Sequence, residues 1–431
     1  MATAKPKPVF DGATLSPKLK PKPNGDPGAL TLPIGKAVGA GGAAVARAYK
    51  HAAGKSNTYA PEVVDMIYHM SREGDFGDEQ VGQFVAAKLA AERDLPRGAP
   101  PLTWDQLVFL SANLTRLVID PYRERCESRV SIGVERAKPL ELAWPVVFGG
   151  IDLGRLPGWL AAHFAIVART LGTAVTIDAA SSLALRTDVP RIVTVDAMAP
   201  IPSLADPAAV EISVPDATQF GAPALAEAVA SIRRETDGQI PVGIVAPAFN
   251  APFVVDQTID LGVDFYVPDA NWTTELRPQT ALPELVSAPS IHVLADTVER
   301  LRHHRKEEVV GVLYRGGIRG GADAGKALCL GATAVSLGLS ALIGVGFKVT
   351  QIDDEAKLLA QLDDEPDNGE RIETHLANFA KSVNVEVTML ARACGKSSVS
   401  NMEPEDLRSL TSDVSAATGV PLVGKDYNFR R

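Results

Sequence analysis

Residues 314–321 read YRGGIRGG and run into Ala322, Asp323 and an apolar-periodic stretch. Gly316 and Gly317 leave a β-rich run, and Gly320 and Gly321 precede a helix pattern. Glycine accepts positive φ and lets the backbone approach a ligand closely. Amides at a helix start then point at an anion. A second β-rich run, ATAVSLG, ends at Gly338, where Leu339 and Ser340 offer further amides. An earlier one, PVVFGG, ends at Gly149 and Gly150. Together these glycines suggest a phosphate cradle, although tight turns alone would also account for them. Arg315 and Arg319 could clamp a phosphate or carboxylate, with surface ion pairing as the alternative.

The other ends of β-rich runs carry Asp152, Asp178, Asp196, Asp216, Asn250, Asp269, Asn271 and Trp272. Such carboxylates could bind a cation through oxygen or supply a general base. Helix capping and Asx turns explain the same residues without chemistry. Tyr314 and Trp272 could stack on a ring or pack in the core. His303 and His304 lie in LRHHRKEE, a charged helix face, and His163 sits in an apolar helix. Cys126, Cys329 and Cys394 form no CxxC pair and no zinc or iron–sulfur spacing. Nothing resembles a Ser/His/Asp set, so no catalytic residue or metal site is assigned.

Eight β-rich runs would position these groups: those near 146, 174, 192, 210, 242, 264, 310 and 334. Helix patterns lie between several of them, at 159–171, 223–235, 253–261 and 322–330. This alternation predicts an α/β fold, a (β/α)8 TIM barrel over residues 141–347 with additional N- and C-terminal helices. An open doubly wound sheet is the alternative, and residues 290–294 could add a ninth strand. In such a barrel the loops after strands seven and eight commonly hold phosphate. Residues 1–35 read as a flexible basic tail, and 36–140 as a helical segment with helices at 61–70, 79–93 and 105–117. Residues 348–431 read as an acidic connection and a helical segment. Its helix at 372–394 is closed by Gly395, and a last helix starts at Pro404 with Glu405 and Asp406 in its first turn.

The chain has 431 residues and a formal net charge of −9, which gives no general attraction to nucleic acid. Its 46% hydrophobic content supports a sizeable core. The apolar stretch 329–347 is punctuated by Gly331, Gly338, Gly344 and Gly346, so it reads as a buried strand and a helix start rather than a membrane span. The first residues are basic and proline-rich and lack the apolar core of a secretory signal. Free thiols without a disulfide framework suit a reducing, cytoplasmic setting.

RGGIRGGADAGKALCLGATAVSLG resembles the FMN-phosphate region of the glutamate synthase FMN-binding domain. WDQLVFLSANLTRL and SIGVERAKPLELAWPVVFGGIDLG resemble the entry to that domain's first barrel strand. LARACGKSSVSNMEPEDLRSLTSDVSAATGVPLVG resembles its closing helical segment. The resemblance covers about residues 102–424. It implies an FMN-dependent oxidoreductase subunit acting on an amino or imino acid. Its cofactor residues would be Gly316, Gly317, Gly320, Gly321, Gly338, Arg315, Gly149 and Gly150.

Several positions depart from the family pattern. Ser213 and Val245 stand where lysines are expected, and DATQFGAP and DANWTTEL replace glycine-rich loops. Asp178-Ala179-Ala180-Ser181-Ser182 replaces an asparagine–glycine–glutamate turn. No cysteine cluster follows Gly346, so no iron–sulfur cluster is expected, and the family's glutaminase domain is not expected as part of this chain. A lysine beside the flavin ring would stabilise its reduced anion, which valine cannot do. Three expectations follow: a flavin oxidoreductase subunit, a degenerate non-redox subunit paired with a catalytic relative, or a barrel for another phosphorylated ligand. Other protein subunits are the expected partners, with Lys5, Lys7, Lys18, Lys20 and Lys22 available to an acidic surface.

Overall fold

The computed structural model describes residues 59, 61–74, 103–112, 124–182, 188–197, 199–204, 206–214, 223–248, 251–271, 284, 290–347 and 369–425. The basic tail, the helix expected at 79–93, the acidic connection, Asp216, Asn250 and Trp272 lie outside these residues.

Eight parallel strands form a closed barrel: β1 (Val146–Phe148), β2 (Val175–Asp178), β3 (Arg191–Asp196), β4 (Ala209–Ser213), β5 (Val242–Pro247), β6 (Phe265–Asp269), β7 (Gly311–Tyr314) and β8 (Ala334–Leu337). Each pairs with its neighbours in sequence order, and β8 closes on β1 with Val335 opposite Val146. These runs are nearly continuous in Val, Ile and Ala because helices cover their outer faces and side chains fill the interior. Gly243 on β5 pairs with Phe265 on β6, and a Cβ there would sit 2.5 Å from the Phe265 ring. The missing side chain is therefore the space the ring fills.

The barrel helices are α2 (Gly158–Leu171), α3 (Pro223–Glu235), α4 (Ala251–Thr258), α5 (His292–His303), α6 (Gly321–Cys329) and α7 (Leu339–Gly344). The stretch 290–294 enters α5 and adds no ninth strand. The apolar run 329–347 becomes the end of α6, then β8 and α7, and no helix among the described residues is long and apolar enough to cross a membrane.

Outside the barrel, α1 (Pro61–Glu73) packs on α8 (Gly369–Ala393), which also contacts α2 and α6. Helix α8 ends as expected at Gly395, which has φ 78°. Two expected helices are different structures. Of the helix expected at 105–117, residues 113–117 lie outside the described residues; before them Trp104–Gln106 is a single 3-10 turn, and Leu107–Phe109 is a strand antiparallel to Leu407–Ser409. The stretch from Pro404 likewise makes one 3-10 turn before that strand. The last helix, α9 (Ser412–Thr418), starts later, where the Thr411 side chain accepts from the Val414 amide. Both 3-10 turns open in capping boxes, Thr103 with Gln106 and Glu403 with Asp406. The apolar residues that follow then take the ladder offered by the distant partner.

A hairpin of Val130–Ile132 and Leu140–Leu142 lies under the barrel, so the segment before it is not helical throughout. Its Gly133 lies against Pro241, and Ile132 against Gly311, at the starts of β5 and β7. That covers the N-terminal end of the barrel and leaves the C-terminal mouth for a site. Overpacking the β5–β6 contact should be costly. Gly243→Ala is expected to lower the unfolding free energy in urea by about 1–3 kcal/mol. An unchanged midpoint would show that Phe265 has room to move.

Candidate functional site

The loop after β7 begins at Arg315, whose backbone bridges to Asp269 at the end of β6. Gly316 and Gly317 follow with φ of 140° and 61°, which side chains rarely adopt. A Cβ on Gly316 would sit 2.8 Å from the Cβ of Ala270. Gly338 leaves β8 so close to β1 that its Cβ would lie 2.9 Å from the Gly149 carbonyl. Gly150 turns the β1 loop with φ 80°. The structure thus brings Gly149, Gly150, Gly316, Gly317 and Gly338 together at the mouth. Gly320 and Gly321 do something else. A Cβ on Gly321 would meet Glu386 Cβ at 2.5 Å and the Val383 carbonyl at 2.6 Å, so these glycines let α6 lie directly on α8.

A carboxylate fills the place that Gly150 and Gly338 face. Glu284 is 2% exposed. Its Oε2 accepts from the Tyr59 hydroxyl. Its Oε1 lies 3.3 Å from where a Gly150 Cβ would be, and a Cβ on Gly338 would run into it. The amides of Leu339 and Gly317 approach the carboxyl and favour its charge. Oε1 still has no hydrogen bond of ordinary geometry among the described residues. Burial pushes the Glu284 carboxyl up to about 7, against the pull of Tyr59 and the two amides.

A second buried carboxylate, Glu386 on α8, faces the amides of Gly321 and Ala322 at the start of α6. Burial, reinforced by the nearby charge of Asp323, pushes it up to about 7 as well. Neither carboxylate was marked by the sequence motifs. Glu386 carries a usable signal, a charge on the buried face of a helix beside Val383 and Val387. Glu284 carries none, because no periodic pattern surrounds it.

Arg315 points into the barrel. Its Nη2 spans both oxygens of Glu211 on β4, at 2.9 and 2.8 Å, and its Nη1 lies 3.5 Å from Asp269. Glu211 also accepts from Thr194 on β3. Burial pulls the guanidinium down, but the two carboxylates outweigh it and hold it above its ordinary value. Arg319 is paired, as the surface alternative expected, but it is buried. It donates to Asp323 at 2.6 Å and to Asp105 at 2.7 and 2.9 Å, fastening the β7 loop to the Trp104 turn. Tyr314 packs edge-on against Trp104 and is core rather than a stacking platform.

The remaining candidates take structural parts. Asp178 accepts from the Ser181 amide as a helix cap, and Asp269 accepts from the Asn271 amide. Asp196 is exposed and Asp152 half-buried. His163 pairs with Glu373 on α8, and His304 with Asp256 on α4. Cys329 and Cys394 are buried thiols, and Cys126 is half-buried. Among the described residues no group of three or more His, Cys, Asp or Glu side chains could hold a metal ion.

The glutamate synthase large subunit-like protein of Rhizobium meliloti (strain 1021) is 26% identical, over 75% of this chain and 88% of its own length. The chain is a relative of the glutamate synthase large subunit-like proteins. The archaeal-type glutamate synthase [NADPH] of Thermotoga neapolitana is 24% identical over 58% of this chain, which spans 61% of that relative. The FMN-dependent dehydrogenase family matches residues 286–365, the stretch carrying β7, β8 and their loops. Among solved structures, a mandelate oxidase gives a TM-score of 0.48 at 17% identity, over 85% of this chain and 98% of that one. At that level it adds nothing to the barrel traced above.

The family match implies FMN, and the residues present do not fit it in this arrangement. The place between the Gly317 and Leu339 amides already holds a carboxylate, and the Arg315 guanidinium is matched by two carboxylates.

The raised carboxyls carry a sign that can be measured. A carboxyl whose value rises from 4.5 unfolded to about 7 folded binds more protons in the native state between those limits. Its stabilising share is therefore complete below about pH 4.5 and lost as the pH rises through 7. Glu386→Gln removes that dependence at one site. Relative to wild type, the variant should gain on the order of 3 kcal/mol in unfolding free energy between pH 4.5 and 7.5. A difference that stays constant across this range would mean Glu386 is not perturbed.

Proposed function

We propose that this chain is a non-redox member of its lineage, a barrel that serves as a structural or regulatory subunit beside a catalytic relative. The observation that carries the reading is the pairing of Arg315 with two carboxylates. A flavin-type mouth needs uncommitted positive charge where the reduced ring becomes anionic. Here the guanidinium is buried between Glu211 and Asp269, so this cluster has two acids for one base. Val245, where the resemblance expects a lysine, is 3% exposed and apolar at the end of β5. A developing negative charge would be opposed by this cluster.

The flavin oxidoreductase reading draws its support from the match over 286–365, which covers the loops but not β4 and β5, where the ring-side lysines are missing. A chain that keeps a closed, well-packed barrel while losing charge at the mouth retains its value as an interface. The expected partner is another protein subunit rather than nucleic acid, in keeping with the net charge of −9.

Purification from the native host under mild conditions tests this. The expected outcome is a protein without flavin absorbance between about 350 and 500 nm, co-eluting with a second subunit that carries the redox centre. A yellow monomer whose flavin is bleached anaerobically by an amino acid would overturn the proposal.

A further inference from the structure

We propose that Glu284 is a built-in occupant of a latent phosphomonoester site, and that its carboxylate keeps phosphorylated ligands out of the barrel mouth. The inference goes beyond the reading above and does not require it.

Three features point to a backbone cradle suited to an anion richer in acceptor oxygens than the group now in it. Gly150 and Gly338 bare the backbone on two sides of one point, and a side chain at Gly338 would collide with the Glu284 carboxylate itself. The amides of Gly317 and Leu339 approach that carboxylate from the loops after β7 and β8. The carboxylate is poorly matched to that backbone: Oε2 is taken by the Tyr59 hydroxyl, while the buried Oε1 finds no ordinary hydrogen bond among the described residues. A phosphomonoester offers three terminal oxygens and up to two charges. A carboxylate has two oxygens and at most one charge, so it offers the amide donors of the cradle fewer acceptors and less charge than a phosphomonoester would.

The occupant is also held firmly. Glu284 is anchored through Tyr59, 225 residues earlier in the chain and just before α1. A phosphorylated ligand would have to displace the carboxylate, break that bond and accept the repulsion of Asp269, which already opposes charge at Glu284. Burying an unpaired charge is expensive, so carboxylate and phosphate cannot share the site. Removing the carboxylate while leaving the glycines and amides should therefore open it.

The test compares FMN, riboflavin and inorganic phosphate as probes on the full chain, using flavin fluorescence quenching and thermal shift. Riboflavin has the ring of FMN without its phosphate. Wild type is expected to show no preference between the two flavins and no thermal shift with phosphate. Glu284→Ala should bind FMN at least tenfold more tightly than riboflavin, and phosphate should raise its melting temperature. Glu284→Ser serves if the alanine variant does not fold. Tyr59→Phe breaks the anchor but keeps the carboxylate, and its gain in preference should be much smaller than that of Glu284→Ala.

A tenfold preference of wild type for FMN overturns the proposal even if no variant folds. So does a folded Glu284→Ala or Glu284→Ser without that preference, or an equal gain in Tyr59→Phe. Equal, tight binding of both flavins by wild type would instead count against the non-redox reading and leave this inference standing.

Discussion

One guanidinium crosses the inside of the barrel, and much of the mouth is arranged around it. Arg315 leaves β7, reaches Glu211 on β4, and passes Asp269 at the end of β6. Glu211 is fully buried, so without a counter-charge it would be a bare carboxylate in the middle of a closed sheet. Breaking a buried pair of this kind by removing one partner costs about 3–5 kcal/mol. The pair therefore ties three strands to one geometry, and it also uses up the charge that a ligand at the mouth would want. Structural cohesion and loss of ligand affinity come from the same contact.

The same economy of charge recurs around it. Gly317 and Leu339 present amides at the mouth, and Gly321 and Ala322 present them at the start of α6. In each place the chain supplies its own carboxylate, Glu284 in the first and Glu386 in the second. Each is buried enough that charge is only marginally favoured near neutral pH. Amides that approach an anion are stabilised by it, and an acid drawn from a distant segment meets that need without a ligand. Arg319 completes the pattern by joining Asp105 and Asp323, so the β7 loop is fastened to the N-terminal turn at Trp104.

Much of the barrel was legible in the chain. All eight strand positions follow from apolar β-rich runs, because a strand buried on both faces has few polar residues to break its pattern. The glycines after β7 and β8 were legible for a related reason: no other residue tolerates positive φ and a backbone in contact with its neighbour. The helix at 369–393 was legible from its periodicity and its terminal Gly395. The stretch 105–117 misled, because an apolar pattern over a few residues suits helix or strand equally. The choice fell to a partner at 407–409 that no local window contains.

The sequence by itself determined the number and order of the barrel strands, the places where the backbone is bare, and the absence of lysine at positions 213 and 245. Those are properties of single residues and their near neighbours. Only the tertiary structure decided what the bare backbone faces. Glu284 meets Tyr59 across 225 positions, and Arg315 meets Glu211 across 104. The same arginine on an open surface would bind anions, and the same glutamate on a solvated loop would bind nothing. Their roles follow from burial and from the charges that closure of the sheet brings within hydrogen-bond reach, and neither is written in the local order of residues.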